Sequence, residues 1–232
     1  SGVPAEDVER RVAEAAALAE KVRGWSGPAQ TSDGHRVQLL ANVQDGDTAM
    51  QAAESVAEGI GLFRTELSFL SEPAEPSVEQ QAERYASVLS AFPEGKVVIR
   101  TLDAGSDKPV PYVDAEDEEN PALGVRGLRI ARGNKALLER QLDGIALSVE
   151  STGRAERGGQ TWVMAPMVAT VQEARWFAEL CHSRGLTAGA MIEVPAAAMM
   201  AEKIMSHLDF VSIGTNDLTQ YTMAADRLSS SL

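Results

Sequence analysis

Cysteine is nearly missing from this chain: Cys181 is its single thiol in 232 residues. A lone cysteine cannot close an internal disulfide, so no disulfide framework holds the fold, and a reducing cytoplasm is the simplest setting for it. No apolar run reaches the roughly 18 uninterrupted residues that a membrane-spanning helix needs. The opening Ser1-Gly2-Val3-Pro4 leads into charged residues rather than an apolar secretory stretch, and membrane insertion is not expected. Positive charge is also scarce, with 21 Lys and Arg against 34 Asp and Glu and a net charge of −13. That balance argues against nucleic-acid binding, whose footprint is a basic face. Aromatic residues make up only 5%, and Trp25, Trp162 and Trp176 are too scattered to form a stacking platform for single strands. An anionic substrate would require the few cations to be concentrated at one place.

Apolar residues are plentiful, at 44%, enough for one large domain or two small ones. The first segment reads as a helix, with Glu6 and Asp7 near its positive end and Val8, Val12, Ala15, Ala19 and Val22 on one stripe. A Gly/Pro/Ser patch at Gly24 to Pro28 interrupts it, so residues 1–30 are expected to be a linker helix and connector, with the globular domain at 31–232.

Beyond that point short apolar, β-branched runs alternate with helical segments. Strands are expected at Val37–Asn42, Gly59–Glu66, Lys96–Asp103, Thr161–Met167, Thr187–Glu193 and Asp209–Thr215. Ser77 with Gln80, and Thr170 with Glu173, have capping-box spacing, and Asp47 is placed to cap a helix from Thr48 to Glu58. Strands apolar on both faces and separated by helices imply a parallel α/β sheet. No Gly-rich dinucleotide fingerprint follows the first strand, which disfavours a doubly wound nucleotide-binding fold. Cys181 shares a helical stripe with Val171, Ala174 and Ala178 and is expected to pack. Met199, Met200 and Met205, on the helix after Pro195, are expected to fill the core. The acidic run Asp114 to Glu119 reads as a solvated loop.

The informative feature is how these runs end. One ends in Arg64-Thr65-Glu66, another in Arg100-Thr101-Leu102-Asp103, a third in Glu193, and a fourth in Thr215-Asn216-Asp217. In a parallel barrel four such clusters meet on one rim, where barrel active sites are built. Alternation puts Leu62, Arg64 and Glu66 on one strand face, and Val98, Arg100 and Leu102 on another. Arginine forks suit phosphate and carboxylate oxygens. Two hard carboxylates are the partial set Mg²⁺ takes when phosphate and water complete its shell. These residues alone suggest an anionic, phosphorylated substrate; a set of Arg–Glu ion pairs lining a barrel mouth is the plainer alternative.

Five stretches carry a resemblance. Gly59-Ile60-Gly61-Leu62-Phe63-Arg64-Thr65-Glu66 and Asp209 to Tyr221 resemble the two signatures of the phosphoenolpyruvate-utilising enzymes. Between them Arg100 to Asp103, Asn120 to Arg126 and Met191 to Pro195 are similar to further motifs of that family, in family order. Within it, Asp107-Lys108 and Met223-Ala224-Ala225-Asp226-Arg227 resemble the Enzyme I family of bacterial sugar phosphotransferase systems.

The resemblance implies a (β/α)8 TIM-type barrel, incomplete here with about six of eight βα units. It implies that Arg64 and Arg100 hold the substrate phosphate with Arg126 and Lys108 nearby, that Asn216 and Arg227 hold phosphate and carboxylate oxygens, and that Glu193 and Asp217 ligate Mg²⁺. In that family the phosphoryl group of phosphoenolpyruvate passes to a histidine on a separate N-terminal domain, then to the histidine-containing phosphocarrier protein, and pyruvate leaves. The enzyme is a homodimer. The sequence departs from the family pattern in three ways. Gly105-Ser106-Asp107-Lys108 replaces Gly-Gly-Asp-Lys, Leu228 follows Arg227 where Gly-Asn-Glu is frequent, and the sequence ends at Leu232, before the Cys-Gly-Glu motif. His35, His182 and His207 lack the context of the phosphorylated histidine. No catalytic residue is therefore expected within this stretch, and binding without turnover is the expectation for it. A non-catalytic dimerisation or docking piece, and a Mg²⁺-dependent aldolase or lyase on a related barrel, are the alternatives.

Overall fold

The computed structural model describes residues 5–23, 25, 29–70, 72–105, 110, 112, 118–226 and 229. They form two compact units, Ser1–Leu39 and Leu40–Leu232. In the first, helix α1 (Ala5–Arg23) is followed by an antiparallel hairpin of β1 (Ala29–Gln30) and β2 (Arg36–Val37). The α1 stripe is open to solvent at Val8 and Val12. Most of the Gly24 to Pro28 patch lies outside the described residues.

Val37 was expected to open the first strand of the sheet, and here the structure differs. Asp33-Gly34, with Gly34 at φ +87°, turns the chain so that Val37 pairs with Ala29, and the sheet begins at Ala41.

The second unit runs β3 (Ala41–Val43), α2 (Gly46–Ala53), β4 (Gly59–Arg64), α3 (Leu67–Leu70), α4 (Val78–Ala91), β5 (Lys96–Arg100), α5 (Ile130–Gly133), α6 (Lys135–Thr152), β6 (Gln160–Ala165), α7 (Val171–His182), β7 (Thr187–Ile192), α8 (Pro195–Met199), α9 (Ala201–Met205), β8 (Phe210–Ile213) and α10 (Thr215–Met223). Strands β3 to β8 form one six-stranded parallel sheet in sequence order, curled as half a barrel, the expected α/β architecture.

Local chemistry explains the boundaries. Ser77 and Thr170 cap α4 and α7 in reciprocal boxes with Gln80 and Glu173, as their spacing predicts. Helix α2 is capped by Asp45, not Asp47: Asp45 Oδ1 accepts from Thr48 N at 2.8 Å, and Thr48 Oγ1 accepts from Asp45 N at 3.1 Å. The helix ends at Ala53 rather than Glu58, where Ser55 Oγ turns back to the Ala52 carbonyl at 2.6 Å.

Two apolar layers follow from strands that are apolar on both faces. Outside the sheet, Ile60, Val97, Ile99, Val163 and Ala188 pack against the helix layer of Tyr85, Leu89, Leu142, Ile145 and Phe177. Inside its curve, Val98, Met164 and Met191 pack with Leu62, Trp162 and Phe210. Leu102, expected to continue the Val98 face, turns instead into a cluster with Phe69, Ala104 and Val110 once β5 has ended. Cys181 is fully buried beside Ala174 and Ala178, and burial pushes its thiol up to about 12. Two of the three methionines depart from expectation, while Met200 is partly buried against the core as expected. Met199 is 88% exposed and Met205 is exposed, because the helix is interrupted at Met200 and restarts as α9 so that Ile204 faces the core.

Candidate functional site

The strand ends meet as the sequence pattern requires. A hollow of about 700 Å³ opens at the C-terminal ends of the strands. Arg64, Glu66, Arg100, Asp103, Arg126, Glu193, Asn216 and Asp217 all line it. Lys108 and Arg227 lie outside the described residues, as does most of the Asp114 to Glu119 run.

Arg64 and Arg100 are register partners at the ends of the neighbouring parallel strands β4 and β5. Adjacent strands stand about 4.8 Å apart, so two guanidinium stems leave the sheet side by side. Their environments differ. Arg100 is buried; its Nη2 donates to Glu66 Oε1, and its Nη1 lies 3.2 Å from Asp103 Oδ2. Burial opposes its charge, but Glu66, Asp103 and Glu193 outweigh that, and its pKa is raised. Arg100 Nε and Glu66 Oε2 are buried with no hydrogen-bond partner. Arg64 is exposed to the hollow and, among the described residues, makes no hydrogen bond or ion pair. One guanidinium paired with acids and one without an ion pair thus stand in register on the hollow that also carries Glu66, Asp103, Glu193 and Asp217.

Arg126 comes from the long connection between β5 and α5. Its Nε and Nη2 fork onto Asp103 Oδ1 and Oδ2 at 3.3 and 3.0 Å, while Nη1 reaches Asp217 Oδ1 at 3.2 Å and Tyr221 Oη at 3.4 Å. Burial works against this charge too, yet Asp103 and Asp217 raise its pKa. The next residue, Gly127, has φ +58°, and a Cβ there would meet Met167 Cγ at 3.0 Å. The fork thus depends on a turn that glycine makes readily.

Glu193 follows β7 and is 1% exposed. Its Oε1 accepts from Met167 N at 2.7 Å, on a residue itself in the left-handed region at φ 59°. Its other oxygen faces Gly214, where an added Cβ would come within 2.7 Å. Burial pushes Glu193 up to about 7; the Met167 N–H and Arg100 oppose the shift, and Asp103 and Asp217 add to it. Asp217 lies in the first turn of α10, also buried.

Every described residue expected at the site therefore lines the one hollow. Asp103, which anchors two arginines, Tyr221, and the Met167 N–H had no role assigned from sequence. Asp103 and Tyr221 stand inside the strand-end motifs, where their signal was available. A main-chain donor leaves no sequence signal at all.

Among the described residues no group of three or more His, Cys, Asp or Glu is arranged to hold a metal. Glu193 and Asp217 do fit a share of one. Both are buried hard-oxygen donors on the same hollow, and burial above all, with Asp103 and Asp217 adding to it, disfavours the charge on Glu193, a state that a hard cation would relieve. No helix of the described residues is long and apolar enough to cross a membrane.

Comparison with known proteins gives a consistent family. Residues 19–232 match "PEP-utilising enzyme, PEP-binding domain". The chain is 48% identical, over 97% of its length, to phosphoenolpyruvate-protein phosphotransferase of Streptomyces coelicolor, and covers 40% of that protein. It is 42% identical, over 94% of its length, to the enzyme of the same name from Haloferax volcanii, again covering 40%. A multiphosphoryl transfer protein of Rhodobacter capsulatus is 42% identical over 87% of this chain, which covers 24% of it. The chain thus spans two fifths or less of the length of these relatives.

Proposed function

From the premise that the chain belongs to the PEP-utilising enzymes, as their PEP-binding domain, we propose that it binds phosphoenolpyruvate in the hollow at the strand ends, as part of a phosphotransferase. The observation that carries the reading is the Arg64–Arg100 register pair, which places an uncompensated guanidinium beside a buried one, across the same hollow from Glu193 and Asp217.

In this reading Arg64 and Arg100 hold the phosphate, with Arg126 and Lys108 nearby. Asn216 and Arg227 take phosphate and carboxylate oxygens. The family generally uses a metal, and here Glu193 and Asp217 would hold Mg²⁺, which when bound neutralises charge on the phosphoryl group and on the enolate left behind. The chain's own residues position and neutralise. Arginines stay charged at any working pH, and the fork of Asp103 on Arg126 fixes one of them before the ligand arrives. Phosphoryl transfer asks little more of the protein than this positioning. The phosphoryl group would leave for a histidine of a separate N-terminal domain and pass to the histidine-containing phosphocarrier protein, releasing pyruvate. A homodimer and a cytoplasmic setting belong to the same proposal.

Calorimetric titration with phosphoenolpyruvate tests it. Saturable binding that requires Mg²⁺ and is lost in the Arg64→Ala/Arg100→Ala double variant is the expected result. Binding that survives the double substitution removes the site from where it is placed here.

A further inference from the structure

Beneath the hollow, between the sheet and the outer helices, lies a buried polar network at the foot of the two strand ends that carry Arg64 and Arg100. Gln141, on α6 and 2% exposed, is its hub. Its Oε1 accepts from Leu102 N at 3.0 Å, and its Nε2 donates to Thr65 Oγ1 at 3.1 Å and to Tyr85 Oη at 3.2 Å. Thr65 Oγ1 donates in turn to the Arg100 carbonyl at 2.9 Å. Tyr85 Oη donates to Gln81 Oε1 at 3.0 Å, and Gln81 Nε2 to the Pro76 carbonyl at 3.0 Å. Thr65, Gln81 and Tyr85 are fully buried. Burial raises the Tyr85 pKa, so its hydroxyl stays a neutral donor.

We infer that Gln141 is a positioning residue for the phosphate site: one amide ties the residue after Arg64 to the residue two beyond Arg100, and so sets the spacing of the two guanidinium stems. The inference rests on the reading that these arginines bind phosphoenolpyruvate. Gln141 does not line the hollow itself, so it acts through Thr65 and Leu102 rather than on the ligand.

Gln141 does more than fill space. The layer around Gln141 is apolar, with Leu137, Leu138, Leu142 and Ile145 on the same helix all buried. An unbranched apolar side chain of similar length would fill the same space without desolvating an amide, so packing alone does not call for glutamine there; the single substitution leaves the buried Leu102 N–H without its acceptor, which weakens folding. What an apolar residue cannot do is link a backbone N–H, a threonine hydroxyl and a tyrosine hydroxyl at once. Past the end of β5 the last backbone bond to the neighbouring strand is Thr101 N to the Met164 carbonyl at 2.9 Å, and the next residue, Leu102, has the Gln141 carbonyl oxygen in place of a strand partner. Small misplacement of positioned charges is costly to binding even when the fold persists.

The test uses the whole chain as wild type, Gln141→Met and Tyr85→Phe. Phosphoenolpyruvate affinity with Mg²⁺ is read by calorimetry, stability by thermal unfolding, and the Leu102 amide by hydrogen exchange. Expected for Gln141→Met is an affinity loss of about tenfold, equivalent to roughly 1.4 kcal/mol, with faster Leu102 exchange and a melting temperature lower by several degrees, as one orphaned N–H entails. Tyr85→Phe should lose about two- to threefold, because only one link of the hub goes. Wild-type affinity in Gln141→Met, or unchanged Leu102 exchange, overturns the inference while leaving the binding site standing. If Gln141→Met does not fold, Tyr85→Phe decides: unchanged affinity in that variant overturns it. A wild-type chain that does not bind phosphoenolpyruvate overturns the site itself, and this inference with it.

Discussion

Asp103 holds Arg126 fork to fork, carboxylate on guanidinium, at 3.3 and 3.0 Å, and both side chains are buried. The same carboxylate lies 3.2 Å from Arg100 Nη1, so one acid organises two of the cations on the hollow. A guanidinium facing a planar carboxylate in this way has little rotational freedom left. Asp103→Asn keeps the shape but removes the charge, leaving two buried arginines with one acid fewer between them. Breaking a buried pair from one side costs about 3 kcal/mol or more. Urea unfolding at pH 7 should show a loss of that order, and Asp103→Asn with wild-type stability would show that the pair contributes nothing.

Arg64 and Arg100 should separate cleanly in experiment although they are register partners. Arg64 has no hydrogen bond or ion pair among the described residues, so Arg64→Ala should leave stability within about 0.5 kcal/mol of wild type. Its phosphoenolpyruvate affinity should fall by roughly 10- to 100-fold, the range for one charged hydrogen-bond donor. Arg100→Ala leaves Glu66 and Asp103 buried without this cation, and should weaken folding as well as binding. Paired thermal melts and titrations distinguish the two; equal destabilisation by both would contradict the geometry.

Much of this arrangement was readable from the chain because the barrel rule turns a one-dimensional pattern into a place. Once six apolar runs are taken as parallel strands, whatever follows each run must face one rim, and Arg64, Arg100, Glu193 and Asp217 do. Reading failed where a nearby residue competed for the same role. Asp45 takes the cap expected of Asp47 because Thr48 can reciprocate, and Asp33-Gly34 draws Val37 into a hairpin. Spacing also could not show Met199 turning to solvent, since the break at Met200 resets the helical phase. The Gln141 hub was beyond reach for a different reason. Its partners Leu102 and Thr65 lie 39 and 76 residues away, and nothing local marks a glutamine on an apolar helix as a link between strand ends.

Glu193 makes the pH dependence specific. Its folded-state value, pushed up to about 7 by burial, stands above the ordinary 4.5 of a glutamate. Between those values the folded state holds a proton that the unfolded state has released, so stability falls as pH rises through that window. The full effect, integrated over the window, is about 3 kcal/mol in order of magnitude. Measured in a chelator, the unfolding free energy of Glu193→Gln relative to wild type should therefore increase from pH 5 to pH 8. A difference that stays flat across that range would mean the carboxyl is ionised in the folded chain throughout.

At the opposite ends of the same strands, Arg154 is the largest fully buried side chain of the chain's described residues, and no acid pairs with it. Its Nη2 donates to the carbonyls of Phe92, at 2.9 Å, and Gly95, at 2.5 Å, and Nη1 to Thr161 Oγ1 at 2.9 Å. Burial, with Arg157 adding to it, lowers its pKa to about 10, so it remains charged at neutral pH, held by the dipoles of two carbonyls and a hydroxyl. It pins the turn between α4 and β5 to the start of β6. Arg154→Met removes the charge and its desolvation but leaves the buried Phe92 carbonyl without this donor, at about 1–3 kcal/mol, while the part-buried Gly95 carbonyl keeps the Gln160 N–H at 3.3 Å. The variant should unfold at lower urea by a few kcal/mol and yet bind phosphoenolpyruvate with unchanged affinity when folded, because none of its partners lines the hollow. Loss of affinity in a folded Arg154→Met chain would mean that the two ends of the half-barrel are mechanically coupled through β5 and β6.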